Sequence, residues 1–138
     1  MAERPAKQRR RGRGGAVTFE TVRELLGALP GVEEGTSYGT PGFRVRGKFL
    51  ARLREDDDPT LVVPTDFQTR ELLLEVDPEA FFITDHYRDS PIVLVRLQAV
   101  HRDELRTLLE DAWRARASKR LIAEYDAGLD GRPADRRR

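Results

Sequence analysis

Apolar residues recur at helical spacing near both ends of this chain and alternate with polar ones through its middle. In "FETVRELLGALPG", Phe19, Val22, Leu25, Leu26 and Leu29 return every three to four positions. That spacing predicts an amphipathic helix capped by Thr18 and stopped by Pro30-Gly31. From Gly35 the period changes to two: "GTSYGTPGFRVR", "KFLARLRE" and "TLVVP" read as three short antiparallel strands bounded by Gly, Pro and the acidic turn "EDDDP". "DFQTRELLLEV" predicts a second helix with Asp66 near its N-terminus, and "DPEAFFIT" and "SPIVLVRL" predict two more strands around the polar link "DHYRD". A last long helix places Leu105, Leu108, Leu109, Ala112 and Trp113 on one face. Ser118 breaks it and caps a short helix holding Leu121, Ile122 and Tyr125.

The order helix, three strands, helix, two strands, helix implies a two-layer α+β domain over residues 17–127, with helices on one face of a mainly antiparallel five-stranded sheet. Strand alternation then sorts side chains by face. Phe43 and Val45 oppose Arg44 and Arg46, and Phe49, Ala51 and Leu53 oppose Leu50, Arg52 and Arg54. A three-residue loop Arg46-Gly47-Lys48 makes the apolar sets coincide, because Val45 then pairs with Phe49 and Phe43 with Ala51. On this reading Arg44, Arg52 and Arg54, with Arg46 and Lys48 beside them, share one cationic surface. The bland rival is a solvated sheet face whose arginines discourage edge pairing. Against it, "PIVLVRL" is apolar on both faces, so the second face combines Leu50, Ile92 and Leu94 with arginines, a composition suited to a partner.

Charge adds a contrast between the ends and the middle. Residues 1–15 hold six basic side chains and one acidic, residues 16–129 hold 15 and 21, and residues 130–138 hold four and two. The fold is acidic and its ends are basic. The opening "MAERPAKQRRRGRGG" has no apolar period, and residues 1–16 read as a disordered Arg/Gly tail of the kind that follows phosphate backbones through Arg9, Arg10, Arg11 and Arg13. Residues 128–138 read as a frayed C-terminal tail. The chain has no cysteine, which excludes disulfides, cysteine-ligated metal and thiol catalysis. No apolar run approaches the ~20 residues that span a bilayer, and no secretory signal is evident, so a cytoplasmic location is expected.

The run "LPGVEEGTSYGTPGFRVRGKFLARL", with "FFITDHYRDSPIVLVRL" and "DELRTLLEDAWR", resembles the MmcQ/YjbR family of small bacterial proteins, described mainly as DNA-binding. The resemblance covers roughly residues 18–126. It implies an α-β(3)-α-β(2)-α fold similar to secretion chaperones and no established catalytic residues. The family's recurrent positions fall here on Pro30-Gly31, Gly39, Pro41, Gly47-Lys48-Phe49, His86-Tyr87-Arg88, Pro91 and Arg96. Lys48, His86, Tyr87 and Arg88 have no evident packing duty.

No catalytic constellation emerges. His86 and His101 lie in no metal-ligand spacing, there is no phosphate loop or GxSxG elbow, and Asp56, Asp57 and Asp58 lack the alternation of a calcium loop. The sequence therefore points to a non-enzymatic protein without cofactor or metal, a monomer or weak dimer. Its expected partner is DNA, bound weakly and nonspecifically by the strand arginines and the tail. The alternative is a chaperone-like or small-ligand-binding scaffold, with His86, Tyr87 and Arg88 forming a small cleft.

Overall fold

Thr18 starts the first helix as expected. Its hydroxyl accepts from the Thr21 amide and the Thr21 hydroxyl accepts from the Thr18 amide, so helix α1 (Phe19–Gly27) begins with both strands of a capping box in place. The computed structural model describes residues 16–37, 39–55 and 58–130. The expectations for residues 1–15 of the Arg/Gly tail, with Arg9, Arg10, Arg11 and Arg13, for Asp56-Asp57 and for residues 131–138 of the C-terminal tail lie outside the described residues; residues 128–130, read as frayed, continue the last helix.

Six strands follow instead of five: β1 (Val32–Ser37), β2 (Thr40–Val45), β3 (Lys48–Glu55), β4 (Pro59–Pro64), β5 (Phe81–Phe82) and β6 (Ile92–Arg96). They form one antiparallel sheet in the order β1-β2-β3-β4-β6-β5. The extra strand arises because "GTSYGTPGFRVR" is a hairpin, with Ser37 opposite Thr40 and a left-handed Gly39 (φ 80°) in the turn. Helix α2 (Phe67–Val76) connects β4 to β5, and α3 (Arg102–Arg116) and α4 (Lys119–Asp130) close the chain. Asp66 caps α2 by accepting from the Thr69 amide at 2.7 Å. Ser118 caps α4 by accepting from the Leu121 amide.

One face of the sheet carries the dry core. Val22, Leu25, Leu26 and Leu29 of the first helical segment and Leu105, Leu108, Leu109, Ala112 and Trp113 of α3 bury against Val45, Leu61, Val63, Phe81, Val93 and Val95. The helical periodicity named the helix residues of this core correctly. Trp113 is fully buried, and its indole Nε1 donates to the Pro30 carbonyl at 2.9 Å. The next residue must be glycine, since Gly31 has φ 78° and a Cβ there would lie 2.8 Å from Leu121 Cδ1 of α4.

The β2–β3 hairpin departs from the expected loop. Val45 pairs with Lys48 across a two-residue Arg46-Gly47 turn in which both residues have positive φ (51° and 83°), the conformation that matches strand twist in tight hairpins. The register then slips between Phe43 and Arg44: Arg44 faces Phe49, while Phe43 faces Ala51. This β-bulge inserts Leu50 as an extra residue. Leu50 and Ala51 are both fully buried in the core, and Phe49 moves to the other face. The expected split, with Phe49 in the core and Leu50 among the arginines, is therefore reversed.

Candidate ligand cleft

The second face of the sheet is apolar beneath and cationic above. Val62 of β4 and Leu94 of β6 are fully buried there, yet they lie outside the main core cluster. Cover comes from the segment between β5 and β6. Its polar link closes into a single 3-10 turn (Asp85–Tyr87), whose amides at Tyr87 and Arg88 donate to Thr84 and Asp85 carbonyls. The Tyr87 side chain reaches back to the sheet, where its hydroxyl accepts from Arg52 Nη2 at 2.8 Å.

One short turn cannot cover a sheet face as a helix does, and a cleft of about 590 Å³ remains. Phe49, Val62 and Ile92 form its apolar surface, and Arg44, Arg52, His86 and Tyr87 supply its polar groups. The His86 and Tyr87 rings meet edge to face with centroids 4.7 Å apart, so the tyrosine is held from two sides. Arg44 is exposed and Arg52 half-buried. A guanidinium presents paired donors in a plane, which suits carboxylate, sulfonate or phosphate oxygens. The described cleft lining thus combines an anion-recognising rim with a surface for an apolar or aromatic body.

The sequence-predicted residues divide. Arg44, Arg52, His86 and Tyr87 come together in the cleft. Arg54 shares the sheet face with Arg52 but is not among the lining residues. Arg46 sits in the hairpin turn, with its Nε against Gly31. Lys48 belongs to a separate concavity with Thr65, Asp66, Thr69 and Arg116, at the meeting of α2 and α3. Arg88 is not among the lining residues, and its guanidinium pairs with Asp85. Arg96, another recurrent position, stacks over Phe82 at 4.0 Å and donates to the Glu79 carbonyl, a packing role. Ile92 lies on the arginine face as expected, whereas Phe49 and Val62 were missed as cleft residues. For Phe49 the signal was weak: the consecutive apolar residues Phe49, Leu50 and Ala51 break strict alternation, which marks a bulge.

A match to the family model named YjbR spans residues 27–115. The chain belongs to the YjbR family. The matched span of this YjbR chain runs from the end of α1 into α3 and includes every described residue of the cleft. Among its relatives are the uncharacterized proteins Rv2570 of Mycobacterium tuberculosis and Mb2600 of Mycobacterium bovis. Each is 28% identical over 125 residues, covering 78% of this chain and 95% of the relative. The crystal structure of Deinococcus radiodurans protein DR2400, with the family-model domain DUF419, is similar at a TM-score of 0.65 and 20% identity. That similarity covers 80% of this YjbR chain and 89% of the other, and it shows the shared α+β fold. Among the described residues no helix is long and apolar enough to cross a membrane, and no group of three or more His, Asp or Glu could hold a metal.

Proposed function

We propose that this protein is a non-enzymatic binding module whose cleft takes a small organic anion, its charged group on Arg44 and Arg52 and its apolar body on Phe49, Val62 and Ile92. The observation that carries this reading is the joining of two strand arginines to an apolar concavity under Tyr87. DNA is the second reading, favoured by Arg44, Arg52 and Arg54 projecting from one sheet face. It is the weaker one: Arg46 and Lys48 lie elsewhere, and residues 16–129 are net acidic.

The test uses 1-anilinonaphthalene-8-sulfonate, an aromatic body with one sulfonate, titrated by fluorescence against short duplexes of unrelated sequence at low salt. The expected result is one saturable probe site per chain. Arg44→Gln and Arg52→Gln should each weaken it by about three- to tenfold, as loss of a partly solvated charge-assisted hydrogen bond does. Absence of probe binding, or binding untouched by both substitutions, overturns the cleft reading. Duplex binding that weakens equally across sequences in the same variants supports the DNA reading instead.

A further inference from the structure

Arg70 is the one charged residue among the fully buried side chains of the described chain, at 4% exposure. It lies one turn into α2, outside the cleft lining, and an arginine in such a place ordinarily needs a carboxylate. Its one ion pair among the described residues is weak: the Glu71 carboxylate stands 3.9 Å from Nε, at the outer limit of such a contact, and is largely exposed. The guanidinium donates to backbone instead. Nη1 reaches the carbonyls of Tyr87 (3.1 Å), Ser90 (2.7 Å) and Ile92 (3.1 Å), and Nη2 reaches that of Arg88 (2.9 Å), while the Phe67 ring lies 4.9 Å from Cζ.

Four carbonyls within six consecutive residues converge on this one cation, so the segment from Tyr87 to Ile92 is wrapped around it. That segment has no sheet ladder of its own until β6 begins; the Tyr87 and Ser90 carbonyls also accept from the Ser90 and Ile92 amides, and the guanidinium adds a second donor to each and serves the Arg88 carbonyl. The same segment supplies Tyr87 and Ile92 to the cleft and follows directly on His86. Only a planar fork with several donors can serve carbonyls arranged on two sides; a lysine ammonium is a point donor that reaches fewer.

We propose that Arg70 is the positioning residue of the cleft, holding the Tyr87–Ile92 wall at the distance from the sheet at which Tyr87 meets Arg52. The inference rests on the cleft reading and deepens it. In this arrangement the wall is fixed from behind by Arg70 and from the front by the Arg52–Tyr87 hydrogen bond. The ligand then meets a preformed site and does not bear the cost of ordering a loop.

The test compares the intact chain with Arg70→Met and Arg70→Lys by amide hydrogen exchange and by titration with the same anilinonaphthalene sulfonate. Arg70→Met should speed exchange of the amides from residue 85 to 92 by at least about tenfold, leave those of α3 unchanged, and weaken the probe about tenfold with Arg44 and Arg52 intact. Arg70→Lys should fall between the two, and it replaces the methionine variant if that chain does not fold. Exchange that is unchanged at 85–92, or that rises uniformly through the protein, overturns the positioning role. So does locally faster exchange with unaltered probe affinity. Failure of the intact chain to bind the probe sinks the cleft itself, whereas failure of the exchange pattern in a chain that binds it removes Arg70 alone.

Discussion

The two faces of the sheet meet the same problem with different amounts of material. On one, α1, α3 and α4 supply long apolar stripes, and the result is a dry core with Trp113 and Leu105 at zero exposure. On the other, a single 3-10 turn and its flanks cover Val62 and Leu94 and leave a cavity rimmed by arginines. A face covered by helices spends its residues on stability. A face covered by one turn keeps a concavity and surrenders some apolar burial. The β-bulge assigns residues between the two, since it sends Leu50 to the first face and Phe49 to the second.

The largest expected effect tests that assignment. Leu50→Ala should destabilise the protein by about 2–5 kcal/mol, as deletion of a buried leucine side chain does, whereas the half-buried Phe49→Ala should cost clearly less and instead weaken probe binding in the cleft. Chemical denaturation of both variants checks it. A larger loss from Phe49→Ala would restore unbroken alternation along β3 and undo the comparison.

A smaller effect belongs to the Arg52–Tyr87 contact. Tyr87→Phe keeps the ring against His86 and removes only the hydroxyl that accepts from Arg52. Thermal melts should show a loss of about 1 kcal/mol or less, because Arg52 retains access to water. A loss as large as that of Leu50→Ala would mean that the second face is as much a core as the first.

The smallest effect lies away from both faces, at two helix contacts. The Thr69 amide, then the Thr69 hydroxyl, hold the Asp66 carboxyl below its ordinary 3.8, and the Arg114 guanidinium does the same for Asp126. A lowered folded value means that the native state binds fewer protons than the unfolded chain. The stability these groups contribute is therefore present above about pH 4 and is lost as pH falls through the folded values. Melts between pH 5 and pH 2 should decline less steeply in Asp66→Asn and Asp126→Asn than in the parent. Parallel curves would show that neither carboxylate contributes.

What could be read in advance follows the same division. Each element of the dry face announced itself by period, because one side of α1 and of α3 must be apolar along its length; Leu105 to Trp113 were named correctly for that reason. The cleft depended on two local events that period does not encode. One is the bulge, which shifts the phase of β3 by one residue between Lys48 and Ala51. The other is Arg70, which looks like any surface arginine in "DFQTRELLLEV" until the chain 17 to 22 residues later brings its carbonyls round. The hairpin within "GTSYGTPGFRVR" reads as a single strand in the sequence because Gly35, Gly39 and Gly42 dilute its apolar signal. His86 and Tyr87 were legible as a pair, and their meeting with Arg44 and Arg52 required the fold.

The chain's single tryptophan is Trp113, enclosed by Tyr125 and the Pro30 carbonyl on the helical side of the sheet. In the ligand-free chain its emission is thus a natural optical reporter of whether α3 and α4 remain docked, and the sheet keeps the indole out of contact with whatever occupies the cleft. A dye in the cleft that absorbs at the indole's emission wavelengths would couple the two by energy transfer, which makes the tryptophan a donor for reading occupancy across the sheet.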